Sequence, residues 1–148
     1  MKRLRKFLAL PGSDRRLLIE ATLLLGVARA CVIAVPFRWT AHWLGTHMTE
    51  TLRTDLPPEQ AATVRRIRWS IALAARHVPW QAVCLPQSIA AKAMLMHRDI
   101  PSTLYFGVRK SMNGASPGFD AHAWVRAGAI EVTSGGKPDD FTVVAMFG

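Results

Sequence analysis

With 148 residues, half of them hydrophobic, the chain is long enough for one folded domain and too apolar to be disordered over most of its length. Its formal net charge of +9 sits almost wholly in the first half: residues 1–80 hold 13 Lys+Arg against 5 Asp+Glu, and residues 81–148 hold 6 against 5. Two cysteines, Cys31 and Cys84, exclude a disulfide framework, and no CxxC or Cys/His pair has the spacing of a zinc site.

The start, MKRLRKFLALPG, has the basic front of a signal peptide, but its apolar part is only FLAL and Pro-Gly stops it. Ser13 or Asp14 then caps a helix running to about Val35, where Pro36 ends it. Glu20 and Arg29 interrupt this apolar run, so it reads as a buried or amphipathic helix, with membrane contact the lesser reading. Cys31 lies inside it as a small core residue. A short helical piece follows in PFRWTAHWLGTHM, and TETLRTDLPP is a connector. Pro57 and Pro58 suit the first turn of the next helix, whose Val64, Ile67, Ile71 and Val78 share one face. Its arginines, Arg65, Arg66, Arg68 and Arg76, take the rest. Pro79 breaks this helix, and another starts at Cys84 to Pro86 and ends before Pro101.

Beyond residue 101 the pattern changes from helical to alternating. STLYFGVRK places Leu104, Phe106 and Val108 on one side of a strand, SMNGASPG is a loop, FDAHAWVRAGAIEVTSGG is a hairpin, and FTVVAMF is a last strand. Helices first and about four strands after them make an α+β fold.

Cys84 is the first candidate for chemistry. A helix N-terminus favours an anion, hence a thiolate, and its N–H groups can hold an oxyanion. The hairpin supplies the second. A turn at Ala127-Gly128 would put Ala123, Val125, Ile130 and Val132 on a core face. His122, Trp124, Arg126, Glu131 and Thr133 would then share the other, with His122 opposite Thr133 and diagonal to Glu131. Trp124 reads as a wall of the cleft. Gln81 and Gln87 are possible side-chain donors to an oxyanion. The remaining histidines show no metal spacing.

The segments CLPQSIAAKAMLMHRDIPSTLYFGVRK, FDAHAWVRAGAIEVTSGG and FTVVAMF resemble the transglutaminase-like cysteine peptidases of lasso peptide biosynthesis, the B2-type leader peptidases. The helical front, LRKFLALPGSDRRLLIEATLLLGVAR and PFRWTAHWLG, is similar to that family as well. The resemblance implies a helix-borne nucleophile, Cys84, and a strand-borne base, His122, in a transglutaminase/papain-like core. On this reading residues 57–148 form that core, and residues 1–56 form a helical region that docks partners or completes it. The resemblance further implies removal of a leader from a ribosomally made precursor. The partners would be that leader, a B1-type leader-recognition protein and a macrolactam synthetase. No metal or organic cofactor, no nucleic acid and a cytoplasmic setting are expected.

Members often carry an Asp about a dozen residues after the His, where this chain reads IEVTSGG. Glu131 is therefore the expected substitute that orients His122. Asp120, of the same parity, competes with it, and a ring fixed without any acid is the third option, since a thiol needs less help than a hydroxyl. Two other functions use the same residues or none: acyl transfer to an amine by the Cys-His pair, and a non-catalytic basic module binding through the Arg-rich helix.

Overall fold

Prolines punctuate the helical half of the chain. Pro11, Pro36 and Pro57 each occupy the position just before a helix, where a missing N–H costs nothing. The computed structural model describes residues 5, 7–111, 118–133 and 138–148. In chain order these form α1 (Gly12–Ala34), α2 (Phe37–Ala41), α3 (Pro58–Ala75), α4 (Cys84–Met96), β1 (Thr103–Ser111), β2 (Gly118–Ala127), β3 (Ile130–Thr133), a 3-10 turn (Pro138–Asp140) and β4 (Thr142–Phe147). The fold is α+β, with helices followed by a four-stranded antiparallel sheet of order β3-β2-β1-β4. The loop read at SMNGASPG lies, at residues 112–117, outside the described residues.

Alternation along the strands sorts the sheet into two faces. One carries Leu104 and Phe106 of β1, their ladder partners Val125 and Ala123 of β2, and Ala145 and Phe147 of β4. The helices cover this face. Ala91, Met94 and Leu95 of α4, Val64, Ile67 and Ile71 of α3, and Leu17 and Leu25 of α1 join it in a single apolar cluster. Residues on both sides of position 56 thus share one core. Met94 and Leu95 are fully buried, and truncating either to Ala should cost about 2–5 kcal/mol.

The other face carries Thr103, Tyr105, Trp124 and Arg126, and the connector between α2 and α3 lies over it. The Thr51 N–H donates to Thr103 Oγ1 at 2.9 Å. Tyr105 donates its hydroxyl to Glu50, and Arg126 pairs with Glu50 at 3.1 Å while donating to the Thr51 carbonyl at 2.8 Å. Arg126 is 5% exposed, so these bonds are what make its burial tolerable. Helix α1 is less enclosed than its composition suggests: Leu17, Leu18, Ala21, Leu25 and Ala28 are buried, while its opposite side faces outward.

The β2–β3 turn differs from the expected one. Ala127 pairs with Ile130, so the two loop residues are Gly128 and Ala129 rather than Ala127 and Gly128. The first loop position requires the positive φ that Gly128 takes, 57°, and glycine adopts it without strain. A bulge between Val125 and Arg126 then shifts the register again, so that Val125 faces Thr133.

Candidate active site

Helix α4 opens at Cys84, after Val83 in an extended conformation, and no side chain caps it. Pro86 in the first turn supplies no N–H, and the Gln87 N–H already bonds the Val83 carbonyl. The N–H groups of Cys84 and Leu85 are therefore the donors that this helix end presents beside the sulfur. Cys84 is a free, half-buried thiol, as is Cys31 on α1. Of the expected oxyanion donors, Gln87 spends its side-chain amide on the Ala82 carbonyl at 2.5 Å, and Gln81 is exposed.

Ser88, one turn further along α4, fixes that helix end against the sheet. Its hydroxyl donates to the Ala123 carbonyl at 3.0 Å and lies 3.0 Å from Thr133 Oγ1, which accepts the Val125 N–H at 3.0 Å. These bonds fill the gap that the bulge leaves in the β2–β3 ladder. Cys84 precedes Ser88 by one helical turn, about 6 Å along the axis. Thus the start of α4 is anchored to the backbone of the residue that follows His122.

His122 projects from β2 opposite Gly107 of β1. Its ring is held between two aromatics: Trp124 at 5.7 Å between centroids and 17° between planes, and Phe141 at 5.1 Å. Trp124 is in turn stacked on Tyr105 at 5.3 Å. This arrangement depends on Gly107, where a Cβ would lie 2.8 Å from both Phe141 and Trp124. His122 is buried, and its Nε2 has no hydrogen-bond partner among the described residues. Burial, and then the charge of Arg109, hold the imidazole below its usual range. The ring is consequently neutral near pH 7 and can accept a proton.

The expected site residues are not all on one face: the His122 ring shares the sheet face of Tyr105 and Trp124, α4 covers the opposite face, and Glu131 lies further along the hairpin. Glu131 pairs with Arg126 and stands four residues along β2 from His122, about 13 Å at strand rise. It keeps the parity of His122 but not the diagonal position, because the turn and bulge move β3 along β2. In this register Glu131 does not stand beside the imidazole that it was expected to orient. Asp120, two residues before His122, gives its carboxylate to Arg109 at 3.3 Å and is 43% exposed. Arg109 also lies over the Phe141 ring at 4.8 Å. Aromatic walls, rather than a carboxylate, thus fix the ring among the described residues, and the family's Asp region falls partly at 134–137, outside them.

Ser88, Gly107, Arg109 and Phe141 shape the site without having been singled out in the sequence. Only Gly107 left a mark there, as a glycine inside an alternating strand, which signals close approach of another group.

A family model described as the transglutaminase-like superfamily matches residues 31–146. No curated protein and no solved structure matches significantly.

Proposed function

We propose that this chain, which belongs to the transglutaminase-like superfamily, is a cysteine peptidase that removes the leader from a ribosomally synthesised lasso peptide precursor. The superfamily generally comprises cysteine peptidases and acyltransferases, so thiol-based acyl chemistry is its common ground. The observation that carries the reading is the Ser88–Ala123 bond, which ties the helix end bearing Cys84 to the strand residue beside a buried, neutral His122.

In the proposed reaction His122 takes the thiol proton as the Cys84 sulfur bonds to the scissile carbonyl carbon. The N–H groups of Cys84 and Leu85 stabilise the oxyanion. The C–N bond then breaks, and His122 returns the proton to the leaving amine, the new N-terminus of the core peptide. Water, deprotonated by His122, releases the leader as a carboxylic acid and restores the thiol. The partners on this reading are the leader, a B1-type recognition protein and a macrolactam synthetase, in the cytoplasm. A recognition protein that tethers the leader would raise its effective concentration at Cys84, so cleavage by the chain alone should be slow and strongly stimulated by that partner.

The test is mass spectrometry of a precursor incubated with the chain and the recognition protein. Cleavage between leader and core that disappears in Cys84→Ala and in His122→Ala supports the proposal. Cleavage retained in Cys84→Ala overturns it. Amidated rather than hydrolysed product in the presence of a labelled amine would reassign the same pair to acyl transfer.

A further inference from the structure

Helix α1 is apolar on two sides, and among the described residues one of them is covered. Opposite its buried side, Ile19, Leu23, Val27 and Ile33 are 50%, 65%, 58% and 69% exposed. A helix bounded by water ordinarily turns polar groups outward, and one that is apolar all round has something covering it. An 18-residue window within α1 has a mean hydropathy of 2.1, which would suit a membrane span. Yet α1 is fastened to the protein along one side, by Glu20 to Arg98, just beyond α4, at 2.6 Å and by Asp14 to Arg66 of α3 at 2.5 Å. It therefore offers a face, not a detachable span.

The shape and charge of this face select its occupant. Phe7, Leu18, Ile19, Thr22 and Leu73 line an open apolar groove of about 530 Å³ between α1 and the end of α3. At Phe7 and Ile19 the groove meets a second depression formed with Gly12, Arg15 and Arg16. Neither arginine has an acidic partner among the described residues, and the neighbouring Asp14 carboxylate is taken by Arg66. An apolar trough with a cationic mouth complements a molecule with an acyl tail and an anionic head. A helical protein partner would fill the trough but would leave the two arginines unexplained.

We propose that this face docks on the surface of an anionic phospholipid bilayer. The outer side of α1 lies at the boundary of headgroups and acyl chains, and Arg15 and Arg16 meet lipid phosphates. The excess of basic residues before position 80 favours the same surface. The docking is independent of the peptidase reading, because it involves neither Cys84 nor His122.

The experiment is flotation of the full chain with vesicles of phosphatidylcholine alone or mixed with phosphatidylglycerol. Binding is expected to the mixed vesicles only and to weaken in high salt, as screening shortens the reach of the arginines. Leu23→Asp, at an exposed position, should lower partitioning roughly tenfold, the factor lost with one well-buried apolar side chain, while circular dichroism and melting stay unchanged. Arg15→Glu with Arg16→Glu should abolish the preference for anionic lipid, and Cys84→Ala should bind as the parent does. Failure to float with anionic vesicles, or Leu23→Asp floating as well as the parent, overturns the proposal. So does a concentration-dependent dimer that Leu23→Asp disperses without any lipid binding, which would give the face to a second copy.

Discussion

Ser88 donates its hydroxyl to the carbonyl of Ala123 at 3.0 Å, and this one bond joins the helix end that bears the thiol to the strand that bears the imidazole. Ser88 is fully buried, so its removal leaves a carbonyl and the Thr133 hydroxyl short of a partner. Ser88→Ala should destabilise the fold by about 1–3 kcal/mol in urea unfolding. On the proposed mechanism it should also lower kcat by more than it changes KM, because the helix end and the strand that bear the thiol and the imidazole lose their common anchor.

Burial, and then the charge of Arg109, lower the His122 pKa, and on the proposed mechanism they set its working pH. A base must be unprotonated, so activity falls as pH drops through the imidazole pKa, which here lies below its usual value. Replacing Arg109 by Gln removes a cation that disfavours the imidazolium, so the pKa rises. The acid limb of kcat/KM should then move to higher pH, and titration of the His122 ring by NMR should move with it. An unmoved limb would show that a different group controls the profile.

Gly107 can be tested without touching either reacting residue. A methyl group there would meet Phe141 and Trp124 at 2.8 Å and must displace one of them from the His122 ring. Gly107→Ala should cost about 1–3 kcal/mol of stability and depress turnover in the remaining folded protein. The companion change Phe141→Leu should depress turnover with less loss of stability, since Phe141 is only half buried.

Glu131→Gln should leave kcat/KM within about twofold of the parent, as expected for a change outside the site. In the β2–β3 ladder Glu131 is the partner of Arg126, towards the turn and away from His122. A loss comparable to that of His122→Ala would return Glu131 to the catalytic machinery.

Lys92 gives a prediction for stability alone. Its ammonium is buried against the Ser102 carbonyl, and burial lowers its pKa from 10.5 to about 8. Between those values the unfolded chain binds more protons than the folded one, so this group makes stability rise with pH from about 8 to 10.5. Lys92→Met should flatten that rise in melting temperature and raise the melting temperature at pH 7.

Much of the fold was legible because proline, glycine and apolar period speak for local structure. Pro36, Pro57 and the alternation at Leu104 and Phe106 mark where helices end and start and where the sheet begins, whereas α1 starts at Gly12 after Pro11 without the side-chain cap expected from Ser13 or Asp14. The placement of Cys84 at a helix start was legible for the same reason. The partner of His122 was not, because it depended on register. Shifting the turn from Ala127-Gly128 to Gly128-Ala129, and adding one bulge at Val125, carried Glu131 along the strand. A bulge stabilised by Ser88, far away in sequence, leaves no local trace. The aromatic wall from Phe141 is equally non-local, since it arrives from the segment leading into the last strand.

The residues that enclose His122 enter the chain at separated points: Gly107 first, then Trp124, and Phe141 some twenty residues after the imidazole. During synthesis the thiol therefore emerges long before the imidazole has its surroundings. A nascent chain that has not yet made Phe141 lacks one of the two aromatic walls of the His122 ring. On the proposed mechanism proteolytic competence would arrive only once Phe141 has been made, and a protein shortened before Phe141 should accumulate as an inert thiol rather than as a weak protease.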